Sequence, residues 1–462
     1  MPSSNQFVSY EMTRMKHIAI IGAGITGLTL ASKHKKAGHN VKVFETQNRI
    51  GGVVQSKRIN GYLLDFGANT LNVRLKKTKK ILEDHNAWNS CLEANKLANK
   101  RMIVRDGKII DLPHSFLSFI TSPFLSIKGK LRLLLEPFIS RAKNPEQETV
   151  ASFISRRLGK EALAYGANPF ISGIYAANPE SLNLKQAFPK LWDIEKKYRS
   201  IILGMLKLSI SKKEHNPNLK KARLISYHQG MEELVRNLSV SINDEIFLRH
   251  SVQKIFPDKG RWGITFKNES DEIINEVFDE VYSTIPSHKI PTIDWSGIKE
   301  NEEILKLSSA PHYPLALVYL GFKKENIKHP LDGFGFLVPE VENLKILGTL
   351  FSSTLFPGRA PDGQILLTTF VGGERHPELA NLPESSILSL VKNELSHLLK
   401  IKGDPIFVEI KKWKNAIPLP DQGMQERKNL AENLSIKNPG LFFRGGHLNG
   451  VSLPNCLDPQ SF

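Results

Sequence analysis

Two cysteines in 462 residues, Cys91 and Cys456, exclude a disulfide framework and a four-cysteine metal site. The chain reads as a globular protein of a reduced compartment. No apolar run approaches the roughly 18 residues that suggest a membrane span. The 14 histidines show no HExxH or other paired-ligand spacing, so no metal is expected. No GxSxG elbow is present, which argues against nucleophilic hydrolysis. The 32 glycines and 26 prolines are an ordinary share and exclude a collagen-like or low-complexity chain. Acidic residues are scarce beside basic ones. The 46 Asp and Glu against 63 Lys and Arg leave a net charge of +17, which favours anionic partners. No zinc-knuckle or RRM-type string accompanies that charge, so nucleic acid is not an expected partner. Many lysines, such as Lys33, Lys35 and Lys36, fit solvated helix faces.

What is present is enough for a large core: 40% hydrophobic residues against 24% charged excludes wholesale disorder. At about 150 residues per domain the length suggests roughly three units. The polar opening MPSSNQFVSYEMTR has no apolar segment of a secretory signal, and either Met1 or Met15 serves as the start.

The first motif follows at once. His17–Ile21 is an apolar run of strand length, then Gly22-Ala23-Gly24-Ile25-Thr26-Gly27 opens a helical stretch from Leu28 to Lys36. Val41 to Phe44 makes a second strand and Glu45 closes it. This is the strand, glycine turn, helix, strand and acid order of a dinucleotide-binding unit. Gly22 permits the tight turn, Gly24 the approach of a pyrophosphate, and Gly27 close packing of helix on strand. The helix start offers N–H groups to phosphate. Glu45 is placed to accept hydrogen bonds from the ribose hydroxyls. A second glycine pair, Gly51-Gly52 after Arg49, suits the longer FAD rather than NAD. Thr46, and Gly67-Ala68-Asn69-Thr70 further on, join the same set. The pattern resembles the glutathione-reductase-type FAD fold, and in particular the flavin amine oxidase superfamily, with Val53 where that superfamily often has Arg.

Further along, Lys100 to Gly107 reads as a strand entering an Asp-Gly turn. Residues 116–141 are apolar and basic, with Lys128, Lys130 and Arg132. Such a segment suits either an anionic membrane surface or a buried helix of a helical subdomain. A helix is expected after Thr149, then a stretch of small residues around Gly173. Lys196 to Arg223, interrupted by Pro217, reads as an exposed helix and loop. After Leu224 the pattern returns to the FAD domain, with Val252 placed to meet the adenine. Strands at 315–322, 333–338, 346–351 and 365–370 suit the floor of a substrate pocket. Trp413, and Val451-Ser452-Leu453 within the glycine-rich 440–453 stretch, imply a last FAD segment.

From about His17 to Cys456 the strings GAGITG, FGANT, KRMIVRDGKIIDLP, FISRRLGKEA, NPFISGIYAANPESL, FGFLVP, LGTLFSSTLFPGRAP, TTFVGG and GVSLPNC occur in one family's order. The chain resembles the oxygen-dependent protoporphyrinogen oxidase family. The resemblance implies an α/β (mixed α+β) fold in three parts. A discontinuous FAD-binding domain takes 15–75, 224–290 and 408–462; a substrate-binding sheet domain takes 76–112 and 291–407. Residues 113–223 form a helical, membrane-associating region.

The implied reaction removes six electrons from protoporphyrinogen IX in three flavin-mediated steps, with oxygen as acceptor and hydrogen peroxide released. By matching position, Arg101 anchors a propionate through a two-pronged guanidinium. Leu337, Leu350 and Phe370 sandwich pyrrole rings, and Gly173 faces flavin and macrocycle. Read from the residues alone, Arg101 also suits a surface salt bridge, and the other side chains suit ordinary strand packing. No acid or base is assigned. The resemblance also implies an anionic membrane surface, a homodimer and a downstream ferrochelatase as partners, at a cytoplasmic, peripheral position on the inner face of a membrane. Ala177 stands where relatives have Gly, Arg444 and Asn449 fall at unfamiliar sites in GGHLNG, and the end at Phe462 trims the closing helix.

Three other readings bear weighing. Coproporphyrinogen III, with four propionates, needs a more basic pocket than protoporphyrinogen IX. An amine oxidase often flanks its flavin with C-terminal tyrosines, yet Tyr319 is the last tyrosine here and only Phe442 and Phe443 stand near the end. A non-catalytic flavin or porphyrin carrier, or a basic membrane-surface protein, is excluded by nothing in the sequence, but the intact FAD motifs argue against it.

Overall fold

His17–Ile21 is apolar because both faces of its sheet are covered, the usual reason for an unbroken hydrophobic strand in a parallel sheet. In the computed structural model, which describes residues 14–215 and 223–459, it lies at the centre of five parallel strands. The polar lead before Arg14, the Pro217 stretch and the end at Phe462 lie outside the described residues. Asn40–Phe44 and Ile246–Phe247 lie to one side, and Glu280–Ser283 and Leu441–Phe443 to the other. The strand order therefore reverses at His17–Ile21, a topological switch point that opens a crevice at the strands' carboxyl ends. One face carries the helices Ile25–Lys36 and Glu232–Ser239, with Leu28, Leu234 and Leu238 fully buried. The other face packs on an antiparallel layer of three strands, Ser251–Asp258, Arg261–Lys267 and Ile273–Phe278.

A second, seven-stranded sheet runs in the order Phe407–Trp413, Leu315–Lys323, Gln364–Gly372, Ile346–Phe351, Gly335–Leu337, Met102–Arg105 and Lys108–Asp111. All four pocket-floor strands expected from the sequence are in it. The helix Glu384–Leu399 covers one face with Ile387, Val391, Leu395 and Leu399, one helical stripe of four-residue steps. Because side chains alternate along a strand, Leu315, Leu317 and Tyr319 point the other way and pack on Tyr62, Leu64 and Phe66. The hairpin Ser56–Ile59/Tyr62–Asp65 is thus the bridge between the two sheets.

Packing cuts across two of the expected boundaries. Phe407–Trp413 pairs with Leu315–Lys323, so Trp413 is carried by the seven-stranded sheet and not by the nucleotide sheet. Conversely, Ile293, Trp295, Ile298, Ile304 and Leu307 pack in the core behind the parallel sheet with Val252 and Trp262. A run of strands in sequence does not reveal which of two sheets its flanking segments join.

The middle region is helical. Val150–Leu158 is capped by Thr149, whose side chain accepts from the Ser152 N–H. The fully buried Arg157 meets Glu195 at 2.5 Å and Glu136 at 3.4 Å, and Glu136 accepts from the Ile201 N–H at the start of Ile201–His215. This network ties the segment Phe116–Phe138 to the helices below it. Within that segment Ile127–Leu134 buries none of its residues, whereas Leu125 and Glu136 on either side of it are buried. Among the described residues no helix is long and apolar enough to cross a membrane.

Candidate functional site

The glycine turn sits at the switch point. A Cβ on Gly27 would lie 2.0 Å from the Gly22 carbonyl oxygen and 2.9 Å from the Thr284 hydroxyl, so only hydrogen fits there. Over Gly24 there is open space, and the first turn of Ile25–Lys36 has neither a capping side chain nor an acid. An uncapped helix start behind an open glycine is a cradle for an anion. Glu45 accepts from the Ala23 N–H and the Gln47 N–H, both at 2.9 Å, and each oxygen retains a lone pair for a hydroxyl.

The remaining loops close round this turn. The Gly51 N–H donates to the Ala23 carbonyl at 2.8 Å, and Arg49 folds over its own loop to donate to Gly52 at 2.7 Å. Gly67 lies against the Val53 carbonyl and leads into the half-buried Ala68, Asn69 and Thr70. Ser452 caps Leu453–Leu457, and Leu453 packs with the core that holds Ile25 and Leu28. Thr46, next to Glu45, is exposed, and Val451, next to Ser452, is half-buried. Val252 stands at a bulge, two residues beyond His250, whose N–H donates to the Glu45 carbonyl. These residues fit a dinucleotide: an uncapped helix start for phosphate, an acid for ribose, and further loops for a longer ligand.

The candidate substrate residues share one face of the seven-stranded sheet. Leu337 pairs with Gly348, Gly348 with Phe370, and Leu350 with Thr368, so all lie on the side turned toward the hairpin. Gly348 leaves a gap between Phe370 and Leu337. Above it runs the helix Asn168–Tyr175, where a Cβ on Gly173 would come within 2.6 Å of Leu337 Cδ2. Arg101 directly precedes Met102–Arg105, the strand beside the sheet's last one, Lys108–Asp111. The residue is exposed, its guanidinium stacks 3.7 Å from the Phe334 ring centroid, and it has no acidic partner among the described residues. Neighbouring Lys100 is instead taken by Asp332 and Asp111. Trp413 closes the face by donating from Nε1 to the Phe66 carbonyl at 2.8 Å.

Phe442 and Phe443 do not flank a pocket. Phe442 stacks on Tyr282 at 4.7 Å, and Phe443 is buried in the core behind the sheet. Both are consumed by packing in the last parallel strand, which removes the aromatic pair that an amine site would need at the C-terminal end.

The residues match the model of the family described as "Flavin containing amine oxidoreductase" over 25–457. The chain belongs to that family. It is an FAD-dependent oxidoreductase. The chain is 33% identical to protoporphyrinogen oxidase 2 (chloroplastic/mitochondrial) of Arabidopsis thaliana, covering 97% of this chain and 92% of that one. It is 35% identical to the mitochondrial protoporphyrinogen oxidase of Nicotiana tabacum, over 96% and 92% of the two chains. It is 26% identical to the coproporphyrinogen III oxidase of Bacillus subtilis, over 96% of each. A solved candidate protoporphyrinogen oxidase from Exiguobacterium sp. shares the fold, with a TM-score of 0.78, 21% identity and 96% of each chain covered. So does UDP-galactopyranose mutase, at 0.71 and 14%, over 96% and 92%.

Several residues of the enzyme's centre escaped the sequence reading. Asp65 and Arg359 form a buried ion pair between hairpin and large sheet, and burial raises the Asp65 carboxyl against the pull of Arg359. The Tyr319 hydroxyl donates to the Asp65 carbonyl at 2.6 Å and is pushed far up by complete burial. Thr284, beneath Gly27, donates to the Ile21 carbonyl at 2.9 Å. His447, within GGHLNG, is held down to about 3 by burial, then by the charges of Arg427, His312 and His288. Nothing in their local strings marks them, since each depends on contacts remote in sequence. For Thr284 alone, its place just after a strand in STIP was a signal.

Proposed function

We propose that the enzyme oxidises protoporphyrinogen IX to protoporphyrin IX with oxygen as acceptor. The observation that carries this reading is the apolar sheet face of Leu337, Leu350 and Phe370, roofed at Gly173 and edged by the unpaired Arg101. A tetrapyrrole with apolar faces and propionates along one edge matches that face in polarity and in charge. The names of the relatives from Arabidopsis and tobacco support the same substrate.

Bound FAD supplies the hydride acceptor, which oxygen restores with release of hydrogen peroxide, three rounds accounting for six electrons. Gly22 to Gly27, Glu45, Gly51-Gly52, Gly67 to Thr70 and Val451 to Leu453 would hold it. Arg101 fixes a propionate, and a guanidinium does so with direction as well as charge. Leu337, Leu350 and Phe370 orient the macrocycle and keep water from its faces. No side chain is assigned as acid or base. Tyr319, Ser352 and Thr368 line a recess beside Leu350, where water can receive the pyrrole protons. Anaerobic addition of protoporphyrinogen IX should bleach the bound flavin's visible absorption, while Arg101→Ala should need more substrate for the same bleaching. An unbleached flavin would sink the proposal.

A second substrate, coproporphyrinogen III, is favoured by the name of the Bacillus relative. The reading also includes a homodimer, a downstream ferrochelatase and a cytoplasmic, peripheral position at a membrane. Support for the last comes from Leu117, Ile127 and Phe138, exposed at 72%, 76% and 84%, with Lys128 among them. Liposomes containing anionic lipid should carry the enzyme upward on flotation, and Phe138→Glu should reduce this. Equal flotation of both proteins would remove the patch from the account.

A further inference from the structure

Glu374 and Arg375 closely follow the strand Gln364–Gly372, which carries Phe370 on the slot floor. Each takes hold of one end of the roof helix Asn168–Tyr175. At the last turn the Glu374 N–H donates to the Ala176 carbonyl at 2.7 Å. The Glu374 carboxylate accepts from the Asn178 N–H at 2.7 Å, from the Ser181 hydroxyl, and from the Tyr313 hydroxyl at 3.1 Å. At the first turn the Arg375 guanidinium donates to Asn168 Oδ1 at 2.9 Å and to the Val338 carbonyl at 3.0 Å. Asn168 also donates to the Glu340 carboxylate at 3.0 Å and accepts from the Glu340 N–H at 3.1 Å. Val338 follows Leu337, the floor residue that meets Gly173, so one guanidinium joins roof to floor.

Among the described residues, the hydrogen bonds between this helix and the large sheet with its flanking turns lie at these two ends. Between them the meeting is apolar, Gly173 against Leu337. The other side of the helix packs Ile171 into the helical region with Phe153 and Leu182. The roof is therefore a beam held at both ends and free in the middle, over the gap that Gly348 leaves. Two neighbouring residues of the floor strand's own turn set its height. Ala176, where the beam ends, is left-handed at φ 51°, a conformation that a residue with a Cβ keeps only where its surroundings impose it. Gly373 makes room for that, since a Cβ there would lie 2.4 Å from the Ala176 carbonyl oxygen.

Resting on the porphyrinogen reading above, we propose that Glu374 and Arg375 are positioning residues, a clasp that fixes the height of the roof helix over Phe370 and Leu337 and so orients the macrocycle for oxidation. Neither touches the ligand. Both act through the helix, whereas Arg101 and the floor side chains supply the binding. Loosening the clasp leaves the ligand bound but free to tilt, which a reaction needing a defined geometry registers in its rate rather than in its affinity.

The test is anaerobic bleaching of the bound flavin by saturating protoporphyrinogen IX, with rate constant and amplitude read separately. Arg375→Met and Glu374→Ala should each lower the rate constant about tenfold, within what a displacement of about an ångström costs, at unchanged flavin content and amplitude. The substrate needed for half the maximal rate should rise by less than about threefold, and Arg101→Ala should show the opposite split. Glu374→Gln keeps a carbonyl oxygen for the Asn178 N–H and should recover most of the rate. Each end of the helix has its own variant, so the failure of one protein to fold leaves the other to decide. A clasp that merely stabilises the fold would lower the amplitude and leave the rate constant alone. That result, or parent-like rate constants, overturns the inference with the porphyrinogen reading in place. No bleaching of the unaltered enzyme overturns that reading and this inference with it.

Discussion

The Asp65 carboxylate and the Arg359 guanidinium lie 2.7 Å apart, with only 3% and 4% of their side chains exposed. Asp65 belongs to the hairpin and Arg359 to the turn before Gln364–Gly372, so the pair pins one sheet to the other. Asp65 also accepts from the Met231 N–H at 2.8 Å, and Arg359 donates to the Ser226 hydroxyl at 2.6 Å. Removing one partner leaves the other charge buried, which costs about 3–5 kcal/mol. Arg359→Met should therefore lower the melting temperature sharply, and pairing it with Asp65→Asn should recover part of the loss. Thermal unfolding of the single and double variants measures this. A single variant as stable as the parent would remove the pair from its joining role.

Gly173 and Leu337 make a softer contact. The atom a new Cβ would strike is the free end of a leucine, which can turn away. Gly173→Ala should cost no more than about 1 kcal/mol of stability, as Leu337 swings into the slot. The substrate KM should rise several-fold with little change in melting temperature. A KM unchanged in Gly173→Ala would mean that the roof at Gly173 does not bear on the ligand.

Acid sensitivity follows from the buried histidines. His447 is held down to about 3 and His312 to about 4, burial being the larger cause in each. Both are neutral in the folded chain at pH 6, whereas an unfolded histidine titrates near 6.5. Their folded values lie below the unfolded one, so their stability contribution is intact above about pH 6.5. It is lost as the pH falls from there toward 3. The melting temperature should drop between pH 7 and 5, and His447→Gln should make that drop shallower. An identical slope in both proteins would show that His447 does not stay neutral in the fold.

Much of this organisation was legible in the sequence, for local reasons. The turn Gly22 to Gly27 and its acid Glu45 are specified by neighbours a few residues away; Leu337, Leu350 and Phe370 came from the family resemblance, on strands that their own apolar runs announced. Which face those strands turn to the hairpin is set by pairing between distant segments. Asp65–Arg359 and Tyr319 were invisible for that reason. Trp413 illustrates the limit: its string resembled a cofactor segment, yet its strand joins the other sheet and reaches the nucleotide side only through the Phe66 carbonyl. The apolar, basic stretch at 116–141 allowed a membrane face and a buried face together, and the structure leaves Ile127–Leu134 unburied while burying Leu125 and Glu136.

The central claim is that the slot beside the FAD loops takes a porphyrinogen. The most direct measurement is the aerobic growth of porphyrin fluorescence from protoporphyrinogen IX and coproporphyrinogen III, side by side, on the FAD-loaded enzyme. The account predicts turnover of both, faster for protoporphyrinogen IX, with hydrogen peroxide formed in step. No fluorescence growth above the enzyme-free rate with either substrate, from protein that retains its flavin, would contradict it.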